Sequence, residues 1–460
     1  MRLPSTCVAR LVRGGIDRSI LFLAAFLTTH LSAQSGPTAY ERRVESVRQT
    51  PGLVAFWDFV QREDGARGAG RFLAHTAPGD RHRYVLEPHN ISREFWHEGA
   101  EATLADFPLL GRGPFGQAVQ FREPKDITDL PVLMVPRRAL HDTPLDIKGP
   151  ENAVSMVVWL IHQSGDHAIA GMWHEGTDTS PLGAPALVRV RGQRQFGLFA
   201  GLAANRGAAS AHISENGLAS FGDRYARHHA VTPEKMKNAK PRATPAELDA
   251  GWSAVGFVFD HTTKTVTAYL NGAATEYWVD EPAKSPFYRS AERAWRQARL
   301  AAIPGVQPGE DPQFPRDQFY TPPETNSLKE EILSQSDDER VVVRTYAFTK
   351  VRVTLRKNAA GQFSTETAAD LVALKANPYW FGHDIYAPPS AAEGGPFTIG
   401  RVIHSNRHAT LSAFIGGVAV FNQPLSPAQM RALARLGTVA TNTEPALLHL
   451  ADVTPSKRSE

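Results

Sequence analysis

The stretch Trp252–Gly272, WSAVGFVFDHTTKTVTAYLNG, constrains the fold more than any other. Val255, Phe257 and Phe259 alternate on one face of a first strand, and Val266, Ala268 and Leu270 on one face of a second. Asp260-His261-Thr262-Thr263-Lys264 turns the chain between them, and Asn271-Gly272 tolerates positive φ at the next turn. Trp252, Ala254 and Val258 make the opposite face of the first strand apolar too. A strand apolar on both faces predicts a place inside a sandwich.

Other segments repeat this pattern. Pro51–Phe59 reads as a core strand, Gly113–Phe121 couples a Gly/Pro turn to a short one, and Ala153–Ile161 is the most hydrophobic after the N-terminal leader. Arg194–Gly201, Phe397–Gly400 and Leu411–Phe421 follow, the last with Gly416-Gly417 marking a bulge or a close backbone approach. Helices are few. Ser426, Pro427 and Gln429 form a capping box, with Leu425 and Met430 as its hydrophobic staple and Gly437 as its end. Ser290–Ala302 has helical spacing, and Thr244–Glu247 caps a single turn. Many short strands with sparse helices predict an all-β, two-sheet antiparallel sandwich.

The first 33 residues read as a signal peptide: Arg2, Arg10, Arg13 and Arg18 precede the apolar run Ile20–Leu27, and Leu31-Ser32-Ala33 offers a cleavage site. The run is shorter than the ~20 apolar residues a membrane span needs. Export, extracellular or periplasmic, is the expectation, with no membrane anchor. Four of the 50 Lys and Arg and one of the 47 Asp and Glu lie in this leader, which leaves 46 of each. The chain's +3 charge is thus a property of the leader, and a nucleic-acid partner is not expected. The single cysteine, Cys7, leaves with it, so no disulfide or thiolate metal site follows.

The polar segment 34–50 reads as a flexible lead-in, 51–438 as one domain and 439–460 as a tail. Long insertions at 61–111, 164–250 and 275–396 interrupt the domain, and loops of that length are expected to hold elements of their own. The third contains Val341–Lys357, where Val351, Val353 and Leu355 alternate with Arg352, Thr354 and Arg356. That alternation predicts an extra strand pair with one wet face.

In order, Gly52–Phe59, Gly116–Phe121, Val154–Leu160, Trp252–Gly272 and Ala413–Phe421 with Pro424-Leu425-Ser426 resemble a laminin-G-like member of the concanavalin A-like lectin/glucanase superfamily. The resemblance spans roughly residues 50–438. It implies a jelly roll and contact with a glycan or polysaccharide, in a superfamily where hydrolases, lyases and adhesion modules all occur. Calcium is the cofactor it implies, and Asp58, Asp178 and Asp260 are the acids placed to hold it.

A retaining glycosidase needs two carboxylates about 5–5.5 Å apart, and no Glu-x-Asp-x-Glu or Glu-x-Asp-x-x-Glu run supplies them. A β-eliminating lyase needs a His or Tyr base and a cation to neutralise the uronate. His212, Tyr225 and Arg194 are the candidates, with His228 and His229 nearby. As ligand contacts the sequence offers His174, Arg194, His212, Asn377, Tyr379 and Trp380. Trp96, Trp173 and Trp278 also lie in or beside insertions, where an aromatic ring is free to pack on a sugar. The leading expectation is a non-catalytic glycan-binding or adhesion-type protein. The alternatives are a polysaccharide lyase or, less favoured, a glycosidase, and an extracellular structural module with no small ligand.

Overall fold

Side-chain alternation with a period of two runs through most of the chain, and the sheets follow from it. The computed structural model describes residues 38–64, 70–124, 126–174, 193–217, 229–239, 245–303, 319–403 and 411–437. The early strands are β1 (Leu53–Trp57), β2 (Arg62–Asp64), β3 (Gly70–Leu73), β4 (Val85–Asn90), β5 (Val119–Phe121) and β6 (Pro131–Val135). Next come β7 (Val154–Gly165), β8 (Ala168–His174), β9 (Gln193–Phe199), β10 (Ala208–Ile213), β11 (Ala230–Lys235), β12 (Ser253–Asp260) and β13 (Thr265–Leu270). The last are β14 (Tyr277–Asp280), β15 (Lys329–Gln335), β16 (Glu339–Thr345), β17 (Thr349–Lys357), β18 (Phe363–Asn377), β19 (Tyr379–Trp380), β20 (Phe397–Ile399) and β21 (Leu411–Phe421). The helices are α1 (Ala39–Arg48), α2 (Ile91–Trp96), α3 (Arg137–Leu140), α4 (Pro245–Asp249), α5 (Arg289–Ala301) and α6 (Pro427–Gly437).

Three antiparallel sheets result. One runs β1-β21-β7-β12-β13-β19 with β5 on β21, and a nine-stranded sheet runs β11-β10-β9-β8-β20-β6-β4-β3-β2. The third runs β14-β18-β17-β16-β15. The first two form the expected sandwich. The hairpin Trp252–Gly272 is β12 and β13, pairing Val255 with Leu270 and Phe259 with Val266. Asn271 and Gly272 take positive φ at its end.

The two faces of β12 are buried by different partners. Val255, Phe257 and Phe259 join Ile169, Met172, Phe196 and Leu198 in the core between the sheets, where Phe257 and Phe196 lie 6.5 Å apart across the layer. Each such side chain contributes roughly 1.5–3 kcal/mol by leaving water. Ala254 and Val258 instead meet Val47 of α1 and Met430, Leu433 and Ala434 of α6. Helices cover the outer face of the first sheet, and that accounts for strands apolar on both sides.

The capping box forms as its residues dictate. The Gln429 N–H donates to Ser426 Oγ at 3.3 Å, and the Ser426 N–H donates to Gln429 Oε1 at 2.8 Å. Segment 34–50 departs from expectation, because α1 occupies most of it. Val47 is buried, and Arg43 donates to the Pro114 carbonyl at 2.8 Å. The helix buries one apolar side chain, Val47, with Val44 partly buried beside it, and one cation, too little apolar periodicity to be read from sequence. The expected strand pair within 341–357 is β16 and β17, and it belongs to a larger unit than two strands. Val342, Val351, Val353, Leu355 and Leu371 face inward with Trp295 of α5. No helix among the described residues is long and apolar enough to cross a membrane.

Candidate functional site

Strands β8, β9 and β10 gather the middle set of candidate residues. A register shift between Met172 and Trp173 sets Trp173 opposite Arg194, which turns the guanidinium onto the indole side of the sheet. The Arg194 Cζ lies 5.6 Å from the Trp173 ring centroid. His212 pairs with Gly197 on the neighbouring strand. The His212 ring meets Trp173 edge-on at 4.8 Å and Phe381 at 5.1 Å. Phe381 in turn lies 5.1 Å from Tyr379. Arg194, His212 and Tyr379 thus join one continuous aromatic row.

That row is closed to solvent. Trp173 is 1% exposed, Arg194 3% and His212 0%, so a polysaccharide cannot touch the His212 imidazole in this arrangement. Tyr225 and His228 lie outside the described residues. His174 is also buried, tilted over Phe95 at 5.2 Å. His229 is buried against Phe287 and Tyr288, and burial lowers its pKa to about 3.

Asn377 ends β18 and pins the third sheet to the sandwich. Its Oδ1 accepts from the Ala268 N–H at 2.8 Å, and its Nδ2 donates to the Ala268 carbonyl at 3.0 Å and the Thr275 carbonyl at 2.9 Å. The amide is fully used in that role. Tyr379 is buried and stacks on Tyr320 at 5.9 Å, whereas Trp380 is half-buried.

The acids considered for calcium have protein partners. Asp58 accepts from the Val60 and Gln61 N–H groups at 2.9 and 3.1 Å, and its other oxygen meets His75 Nε2 at 2.8 Å. Asp260 accepts from the Thr262 N–H and hydroxyl at 2.9 and 2.7 Å. Burial pushes its carboxyl up, but these hydrogen bonds, Thr263 and nearby His261 outweigh it and the net shift is downward. Asp178 lies outside the described residues. His141, Asp142 and Asp146 come within 4.8 Å of one another, yet the Lys148 ammonium already bridges Asp142 at 2.8 Å and Asp146 at 2.7 Å. Lysine takes the place a metal ion would need.

The outer face of the third sheet offers a different arrangement. Trp278 on β14 is half-buried and pairs in register with Lys375 of β18. The Lys375 and Lys350 ammoniums each lie 4.7 Å from the Trp278 ring centroid. Glu276 accepts from the indole N–H at 2.6 Å and from Lys375 at 2.9 Å. The Lys375 hydrogen bond above all, then that of Trp278, holds the Glu276 carboxyl below its ordinary value. The sequence offered Trp278 as an insertion aromatic but not the two lysines, which are far along the chain from it. The alternation of β17, with Lys350 at its wet start, was the one signal that could have pointed to them.

No family model matches this chain, and no curated protein matches it. Among solved structures it is similar to a Trypanosoma rangeli sialidase in complex with 2,3-difluorosialic acid, with TM-score 0.33 and 10% identity over 87% of this chain and 38% of that one. It is also similar to the binding domain of botulinum neurotoxin serotype D, with TM-score 0.34 and 7% identity over 85% of this chain and 52% of the other. The chain therefore spans about half or less of the length of these proteins.

Proposed function

We propose that this chain is an exported, non-catalytic glycan-binding β-sandwich of the concanavalin A-like type, and that its ligand rests on the outer face of the third sheet. One observation carries this reading. The half-buried Trp278 indole lies 4.7 Å from two ammoniums and donates to a carboxylate, which gives a sugar an apolar ring with hydrogen-bonding partners beside it. The burial of Arg194 and His212 around Trp173 supports binding over lyase chemistry. A general base must come within hydrogen-bond reach of the proton it removes.

Affinity electrophoresis of the full chain through gels containing neutral or acidic polysaccharides tests the proposal. Retardation by at least one polysaccharide is expected, together with no rise in unsaturated-uronate absorbance and no reducing ends on prolonged incubation. Product formation would overturn the non-catalytic reading, and absence of both retardation and product would favour a structural module.

A further inference from the structure

Resting on the glycan-binding reading, we infer that the ligand is an anionic polysaccharide, carrying carboxylate or sulfate groups, that lies along β17 with one end at Trp278. The wet side of β17 presents Lys350, Arg352, Thr354 and Arg356, while Val351, Val353 and Leu355 between them are buried. Side chains two apart on a strand face are separated by roughly 7 Å, so Lys350 to Arg356 covers about 20 Å. Such a row matches an extended polymer with charge recurring along its length better than it matches a compact ligand.

The charges on this face are unevenly satisfied. Arg352 pairs with Asp370 at 2.8 Å, and Lys375 pairs with Glu276 at 2.9 Å. Asp280, on the same face of β14 as Trp278, is exposed. Lys350 and Arg356 form no direct ion pair among the described residues, although Glu276 stands near Lys350 and Glu339 lies opposite Arg356 in register, and they stand toward opposite ends of the row. An anionic chain would supply what these two cations lack, with its apolar C–H surface against the exposed part of the indole. Long cationic side chains lying over a sheet keep their heads in water, where they can exchange solvent for a carboxylate or sulfate at little cost. Electrostatic complementarity of this kind sets specificity and salt dependence more than raw affinity.

The test is a calorimetric titration of the full chain with four probes: oligogalacturonate, its methyl ester, dextran and dextran sulfate. Oligogalacturonate is expected to bind at least tenfold more tightly than its uncharged ester, and its affinity to fall as salt is raised. The double variant K350Q/R356Q is expected to lose about tenfold toward oligogalacturonate, and W278A to lose binding of acid and ester alike. Both substitutions lie at the surface, and an unchanged melting temperature checks that the fold is intact. Binding of dextran sulfate with the same dependence on Lys350 and Arg356 assigns sulfate to the same track, and its failure restricts the ligand to carboxylates. Equal binding of acid and ester would overturn the anionic assignment while leaving glycan binding in place. Loss of all four interactions would overturn both readings together. Polyanion binding indifferent to every one of these substitutions would place it elsewhere on the molecule and overturn the inference.

Discussion

The His212 imidazole meets the Trp173 indole edge-on with ring centroids 4.8 Å apart, and neither ring is more than 1% exposed. Gly197, opposite His212, leaves room for a third ring beside this pair, since a Cβ there would lie 3.0 Å from Phe199 Cε2 and Cζ. His212 therefore packs as a core residue of the outer layer. Replacing it with Ala removes most of a buried ring between Trp173 and Phe381, at a cost on the order of 2–4 kcal/mol. Urea unfolding of H212A should show that loss, while the folded variant keeps its glycan affinity. A folded H212A that no longer binds would return the imidazole to the ligand site.

His229 makes stability depend on pH. Burial lowers its pKa to about 3 from the ordinary 6.5, so the folded protein holds it neutral where an unfolded chain would protonate it. Its effect is constant above pH 6.5 and becomes destabilising as pH falls from there toward 3, at about 1.4 kcal/mol per pH unit. The window from pH 6.5 to 5 lies between the unfolded and folded values, and comparison with a variant lacking the imidazole isolates the His229 contribution there. Unfolding free energies of the wild type and H229Q across that window should differ in slope by one proton. Parallel curves would show that the folded protein takes up this proton as readily as the unfolded chain does.

The sandwich was legible because its strands advertise themselves locally. Val255, Phe257 and Phe259 alternate, Asp260 caps a turn through Thr262, and Asn271-Gly272 follows where positive φ is required. The capping box at Ser426 and Gln429 is equally local. What escaped the sequence depends on partners far apart in the chain. Arg194 reaches Trp173 only through a register shift between strands, and Asn377 looks like a ligand contact until the Ala268 backbone is seen to take its amide. Helix α1 carries too few apolar residues to announce its docking, and the surface around Trp278 needs lysines from two other strands.

Asp146 is held by four cationic or amide groups, the Asp142 N–H at 3.1 Å among them, in a site with no side-chain exposure. Arg137 grips both oxygens at 2.5 and 3.0 Å, Lys148 donates at 2.7 Å, and Gln195 approaches at 3.4 Å. Burial raises the carboxyl pKa, but the Arg137 and Lys148 hydrogen bonds outweigh it and the net shift is downward. A depressed folded pKa stabilises above the unfolded value and is lost as pH falls through the folded one, so this contribution disappears only in acid. D146N leaves Arg137 short of its charge partner and should cost about 3–5 kcal/mol at neutral pH. Chemical denaturation at pH 7 and below pH 3 checks this, since the gap between variant and wild type should narrow in acid.

The hairpin Trp252–Gly272 closes against the last strand through a glycine. Gly416 sits in β21 where the register with β7 shifts between Ile415 and Gly417. A Cβ built at Gly416 would lie 2.8 Å from the Trp252 indole and 2.7 Å from Pro114 Cδ. Both neighbours are rigid rings, and Trp252 is packed against Ile161 and Phe414, so neither can yield without moving its strand or turn. Overpacking of this kind costs about 1–3 kcal/mol for an added methylene or two. G416A should fall at the low end of that range and G416V at or beyond its top. The contact ties the start of the hairpin to β21 across β7, and its loss loosens the sandwich as a whole rather than one loop. A single cooperative unfolding transition, shifted to lower denaturant with its slope unchanged, is the expected record. A glycine-to-valine exchange with no shift would mean that Trp252 has room to move and that the close approach does not fix the hairpin.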